Sequence, residues 1–450
     1  MILKKSLNFF TLCLLSACSL ITYQPLETIS QINPNQGYRM KTAINQPDGN
    51  LIILMFSGGG SRAASLGYGV LEAFKNTQIK PTDKGSRLID NVDIVYGVSG
   101  GSVLAAYYAL YGADAVPKFE NNFLKKDFQR EIISQVFSFS NLPRISSPQF
   151  GRGDLLQEQL DLALYKGATF GDLVAKRKGP FAVISATDMN SGQKITFTQE
   201  FFDGLCLNLS KMEISRAVAA SSSVPLIFSP LTLNNNGGNC HFSVPELVRM
   251  TQQISSETQK TKNIEEAKDL LKYYQNSKEY PYIHLVDGGL TDNLGLAGLI
   301  DIFDVAGQEG MYQQALNHNI KRIIVINVNA QNEIVSEINK SADVPGPADV
   351  VNTIVNVPID RNTQITLHRF REFADEWNKN MQKKPVNRRV EMHFVDLGLK
   401  NLPESELKKD VLNISTSFYL LDSEVNKLKA SAKILLDESK EYQDMLKSLR

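Results

Sequence analysis

The 450-residue chain carries 48 basic and 48 acidic side chains with 42% apolar residues, enough to bury one large core or two smaller ones. The balanced charge argues against a nucleic-acid footprint and a nucleic-acid partner. Four cysteines and one tryptophan exclude a disulfide scaffold, and beyond the first twenty residues no apolar run is long enough to span a bilayer.

The opening stretch, MILKKSLNFFTLCLLSACSL, sets Lys4 and Lys5 before an apolar segment of secretory-signal length. It closes on Leu15-Ser16-Ala17-Cys18, which resembles a bacterial lipobox. That resemblance implies a signal peptide over 1–18, lipidation at Cys18, and attachment to the membrane through an N-terminal lipid anchor. An ordinary signal with an incidental cysteine, or a short N-terminal anchor, is the alternative. Ser19 stands where an aspartate would imply inner-membrane retention, so the expected location is the cell envelope at the outer membrane. Residues 19–48 carry Pro, Gln, Asn and Gly without periodicity and read as a tether.

The folded part, expected over 49–400, opens with the continuous apolar run Leu51 to Phe56, the pattern of a strand buried on both faces. Glycines follow, then a helical pattern through Leu66, Val70, Leu71 and Phe74. A second unit repeats that order around VDIVYG and SVLAAYYALYG, with Gly112 as the helix stop. Further strands are expected over Phe181 to Met189, Tyr282 to Gly289 and Arg322 to Ala330, with one near Glu391 joining or edging the sheet. Apolar strands alternating with helices predict an α/β sandwich with a mainly parallel central sheet. A polar helical insertion is expected at about 244–278, and residues 401–450 read as a helical extension packed on the domain.

Three of the strand ends carry chemistry. Gly97-x-Ser99-x-Gly101 fits a nucleophile elbow, a tight strand-to-helix turn that exposes a serine oxygen. Ser57-Gly58-Gly59-Gly60-Ser61-Arg62 can turn its backbone amides toward one point, as an oxyanion hole does. A phosphate-binding loop would need a lysine followed by Ser or Thr there, and a dinucleotide fingerprint would need glycine at Ala63. Asp287-Gly288-Gly289 ends a third apolar strand, at the rim where parallel sheets place their ligands, although the same residues also make good turn chemistry.

Together these motifs, with Ala186 to Gln193 and Ala217 to Pro230, resemble the patatin-like phospholipase family over roughly Asn50 to Val328. Ala63 departs from the commoner glycine after the arginine, as in the related cytosolic phospholipase A2 group. The resemblance implies a three-layer patatin-like fold, with Ser99 as nucleophile and Asp287 as its sole partner. Gly58, Gly59 and Gly60 would be oxyanion donors, and Arg62 would organise that loop or meet a lipid phosphate. The implied reaction is hydrolysis of phospholipid or lysophospholipid acyl esters through an acyl-enzyme. A Ser-His-Asp esterase or thioesterase acting on soluble esters is the second reading, with His318 the best-placed histidine; His284, inside a strand, reads as packed in the core. A non-catalytic lipoprotein that binds lipid or protein is the third. Cys206 and Cys240 either bridge a 34-residue separation or stay as free buried thiols. No Cys/His spacing or acidic loop suggests a metal, and no cofactor is expected.

Overall fold

The apolar run at Leu51 becomes the middle of an eight-stranded sheet. A computed structural model describes residues 21–44, 48–242, 272–333 and 342–450. Cys18, the signal-like segment and the expected insertion up to residue 271 lie outside the described residues. In chain order the strands are β1 (Asn50–Phe56), the small hairpin β2 (Gln78–Thr82) and β3 (Gly85–Arg87), β4 (Ile94–Val98), β5 (Phe181–Asp188), β6 (Lys194–Thr196), β7 (Leu231–Asn234), β8 (Tyr282–Val286), β9 (Arg322–Asn329) and β10 (Glu391–Gly398). The main sheet runs β10-β9-β1-β4-β5-β8-β7, with β6 on β5.

The five strands from β10 to β5 are parallel. Every residue of β1, β4 and β5 is buried, which requires helices on both faces and explains the unbroken apolar runs. Those helices are α1 (Gly60–Asn76), α2 (Gly100–Tyr111), α3 (Phe128–Val136), α4 (Arg152–Leu160), α5 (Ile214–Ser221), α6 (Leu296–Asn317, interrupted at Gly307), α7 (Pro347–Met381), α8 (Asp422–Glu438) and α9 (Lys440–Leu449). The result is a three-layer α/β sandwich.

The strand before Asp287 is not one more parallel strand. β8 runs antiparallel to β5 and overlaps only its end, through Thr187–Val286 and Asp188–Leu285. It enters from beyond the carboxyl edge of the parallel strands, so its last residue lands on that edge. Val98 pairs with Ser185 on the other side of β5, which brings the residues after β4 and β8 to the same level.

The tether reading of 19–48 is overturned over residues 21–44, which dock on the domain. Tyr38 is buried and stacks on Phe181 with centroids 4.0 Å apart, and its hydroxyl donates to the Ala182 carbonyl at 3.0 Å. Arg39 forms a buried ion pair with Asp203 at 2.8 Å, and Asn234 accepts from the Leu26 amide at 2.7 Å. Sparse aromatic and charged anchors fix this segment, so it shows no periodicity. A disulfide joins Cys206 to Cys240 across 5.5 Å between Cα atoms; a loop of that length stabilises by about 3–4 kcal/mol.

The C-terminal helices are part of the same body. Val425, Leu428, Ala432 and Leu435 of α8 are buried, the valine and each leucine worth roughly 1.5–3 kcal/mol of transfer. Gly69 lets α8 approach α1, since a Cβ there would stand 2.8 Å from that of Ala432.

Candidate active site

Ser99 follows β4 directly and caps α2, with φ 50° and ψ −126°. A non-glycine residue there is strained, and surrounding contacts must hold it. The Ser99 amide donates to Ser221 Oγ at 2.8 Å, while its carbonyl accepts from the Ser102 amide at 2.9 Å and Ser102 Oγ at 2.6 Å. Gly97 is required by close approach: a Cβ would lie 2.6 Å from Ser102 Cα. At Gly101 a Cβ would come within 2.5 Å of the Phe56 and Ser57 carbonyls.

Asp287 is held by the segment that braces the serine. Its amide donates to the Ser223 carbonyl at 2.9 Å, and that of Gly288 to the Ser221 carbonyl at 3.0 Å. Thr187 Oγ1 donates to the Asp287 carbonyl at 2.9 Å. Ser99 Oγ then donates to Asp287 Oδ2 at 2.7 Å, and the Gly289 amide donates to Oδ1 at 2.8 Å. Burial pushes the Asp287 carboxyl up to about 6, against the opposing pull of those two hydrogen bonds.

The glycine loop stands across from this pair. A Cβ on Gly58 would lie 3.4 Å from that of Ser99, and a Cβ on Gly100 would overlap the Gly60 carbonyl. One expected donor is lost: the Gly58 amide already donates to the Asn293 carbonyl at 2.9 Å. Among the described residues no acceptor takes the amides of Gly59, Gly60 or Gly100. The first two belong to the cleft lining and the third to the first residue of α2.

Of the two roles expected for Arg62, its contacts are those of a residue that organises the loop. It is 2% exposed, and its guanidinium donates to the Ala330 carbonyl at 2.7 Å and the Ile414 carbonyl at 2.6 Å. Burial lowers its pKa to about 10, so it remains charged at neutral pH. The Ser61 amide donates to the Ser417 carbonyl at 2.7 Å, and Ser57 Oγ accepts from the Ala330 amide at 2.9 Å. The loop is therefore clasped by the end of β9 and by the stretch between residue 412 and α8. Sequence reasoning missed Asn293, Ile414 and Ser417, which act through backbone carbonyls that no side-chain pattern reveals. Ser221 was within reach, in the SSS of AVAASSSVPLIFSP.

Ser99, Asp287, Gly58, Gly59 and Gly60 lie in one cleft of about 1070 Å³, walled by α3, the 224–228 turn, α7 and residues 412–418. None of the five histidines lines it. His284 is exposed beside Thr232, not packed in the core, because β8 runs at the sheet margin; His318 caps the far end of α6. Among the described residues no group of three metal-ligating side chains is clustered, and no helix is long and apolar enough to cross a membrane.

A strained serine at the carboxyl edge of a mostly parallel sheet, hydrogen-bonded to an acid at the end of a strand two places away, defines the architectural class of α/β proteins with a nucleophile elbow. The family model of patatin-like phospholipase matches residues 54–300, more than half of the chain, and the chain belongs to that family. Among solved structures, human GIVD cytosolic phospholipase A2 aligns over 91% of this chain and 62% of its own, at 11% identity and a TM-score of 0.43. The same human enzyme in complex with methyl gamma-linolenyl fluorophosphonate aligns over 91% and 61%, at 13% identity and a TM-score of 0.41. This chain thus spans less than two thirds of the length of either. No curated protein matches its sequence.

Proposed function

We propose that the protein is a membrane-tethered serine acyl hydrolase that cleaves fatty-acyl esters of phospholipids or lysophospholipids through a Ser99–Asp287 dyad. One observation carries this reading: Ser99 Oγ donates to Asp287 Oδ2 at 2.7 Å in a cleft that no histidine lines. Family membership supports the substrate class, and the signal-like N-terminus supports a lipid anchor on Cys18 at the outer membrane.

In this mechanism Asp287 accepts the hydroxyl proton as Ser99 Oγ bonds to the ester carbonyl carbon. The amides of Gly59, Gly60 and Gly100 receive the negative charge that develops on the carbonyl oxygen. When the C–O bond to the alcohol breaks, the Asp287 proton passes to the departing oxygen and an acyl-Ser99 ester remains. Water attacks that ester, gives its proton to Asp287, and the fatty acid leaves as Ser99 regains a proton. A carboxyl near its ordinary range is a poor base for a hydroxyl, and the burial that raises Asp287 improves the match.

The test is covalent labelling with a fluorophosphonate, read alongside lipid hydrolysis. Wild-type protein should label at Ser99, Ser99→Ala should not, and each histidine→Gln variant should keep most of both signals. A folded histidine variant that is silent would replace the dyad with a triad. The acid limb supplies a second check: Asp287 acts as base only when ionised, so kcat/KM should fall about tenfold per pH unit below about 6 and level off above it.

A further inference from the structure

The cleft opens among apolar side chains that face water. On α3 and the segment after it Ile133 is 48% exposed, Phe137 76%, Phe139 93% and Leu142 47%. From the 224–228 turn come Leu226 at 68% and Ile227 at 56%. Leu226 sits at φ 71°, a costly conformation for a branched side chain, while Arg152 donates to its carbonyl at 2.9 Å. Ile133, Phe137, Leu226 and Ile227 line the cleft, and Phe139 and Leu142 follow on the segment after α3, so two separate segments hold large apolar side chains out in water, an arrangement that marks an interaction surface.

The contacts of Ile21 and Tyr23 bear on what covers that surface. Ser147 Oγ donates to the Ile21 carbonyl at 2.7 Å, and the Tyr23 amide donates to Gln149 Oε1 at 2.7 Å. The Tyr23 hydroxyl donates to Asn234 Oδ1 at 3.0 Å. Ile21 and Tyr23 are therefore fixed beside residues 147–149, a few positions after Phe139 and Leu142. Cys18 stands three residues before Ile21, so a fully extended chain carries it roughly 10 Å at most from that point.

We propose that the Phe137–Leu142 segment and the Leu226–Ile227 turn rest on a lipid bilayer, held face-on by an anchor joined to the domain at Ile21, at the same corner. The inference rests on the lipid-anchor part of the proposed function. With the anchor fastened beside the apolar rim, the cleft mouth meets the surface from which its substrate comes. An acyl ester then passes from the membrane to Ser99 without crossing water. The large apolar tips enter the interface as those of amphipathic elements do.

The full chain, lipidated and inserted in vesicles of phosphatidylethanolamine and phosphatidylglycerol with brominated acyl chains, tests this. The single native tryptophan, Trp377, is fully buried, so an added one reports its own surroundings. Phe139→Trp should lose most of its added emission to the bromines. Val386→Trp should keep its own, since Val386 is 78% exposed and precedes β10 at the amino edge of the sheet. Phe139→Ser combined with Leu142→Ser should slow hydrolysis of vesicle phospholipid about tenfold and leave a soluble short-chain ester unaffected. Equal quenching of the two tryptophans would overturn the proposal. So would Phe139→Trp emission that is already blue-shifted without lipid, which would mean that residues 1–20 or a second copy cover the rim. A chain that docks but cleaves neither substrate would overturn the proposed activity alone; one that cleaves the soluble ester without quenching would overturn the docking alone.

Discussion

The serine turn and the glycine loop are built from the same parts, a buried parallel strand running into a buried helix, yet they are held in opposite ways. The serine turn is braced by Ser221 Oγ and by Ser102 of its own helix, and its acid partner hangs from the Ser221 and Ser223 carbonyls. The glycine loop takes its support from far along the chain, through the carbonyls of Asn293, Ala330, Ile414 and Ser417. The nucleophile and acid thus form a compact unit, whereas the anion-binding loop depends on the C-terminal region being in place. Activity should fail at the loop under disturbances that leave the serine and aspartate together.

Three substitutions probe that contrast, and the largest effect is expected at the compact unit. Asp287→Asn keeps the shape and an acceptor for the Gly289 amide, but its Nδ2 can only donate to Ser99 Oγ and the base is gone, so ester hydrolysis should fall by roughly 10³–10⁴. The same change should stabilise the fold. The folded carboxyl titrates at about 6 and an unfolded one near 4, so wild-type stability declines as pH rises between those values and is flat above. Urea titrations should therefore show the advantage of Asn opening over that window, to roughly 2–3 kcal/mol at neutral pH.

Arg62→Met comes next. It leaves two buried carbonyls without their donor and frees the loop from residues 330 and 414. We expect kcat to drop about 10- to 100-fold while fluorophosphonate labelling of Ser99 falls only a few-fold. Equal losses in both assays would mean that the loop and the serine turn are one unit after all. Ser221→Ala is the mildest, removing the acceptor for the Ser99 amide. Its expected cost is about 1–2 kcal/mol in stability, with kcat down about tenfold. An unchanged rate would show that Ser102 alone holds the strained turn.

What the sequence disclosed follows the same divide. Strand, turn and helix around Ser99 are written locally, in VDIVYG, a glycine-flanked serine and an alanine-rich run, because fully buried parallel strands need unbroken apolar residues. Gly59 and Gly60 were legible as free-amide positions. Gly58 was not, since its amide goes to a carbonyl two hundred residues away, and the choice for Arg62 between organising the loop and meeting a phosphate stayed open because nothing local signals its burial. The direction of β8 was hidden too, because YIHLV reads alike whichever way it pairs. Residues 21–44 looked like a linker because their anchors, Tyr23, Tyr38 and Arg39, are widely spaced and meet distant partners. The pairing of Cys206 with Cys240 depends on how β7 and its neighbours fold back, which spacing alone leaves open.

The clasp on the glycine loop also orders events in time. Ser99 and Asp287 emerge well before Ile414 and Ser417 during synthesis. A nascent chain can therefore close its serine turn early and still lack a fixed loop to receive the oxyanion. On the proposed activity, that sequence of assembly is a safety catch: the loop that would receive the oxyanion stays unfixed until residue 417 has arrived and folded back.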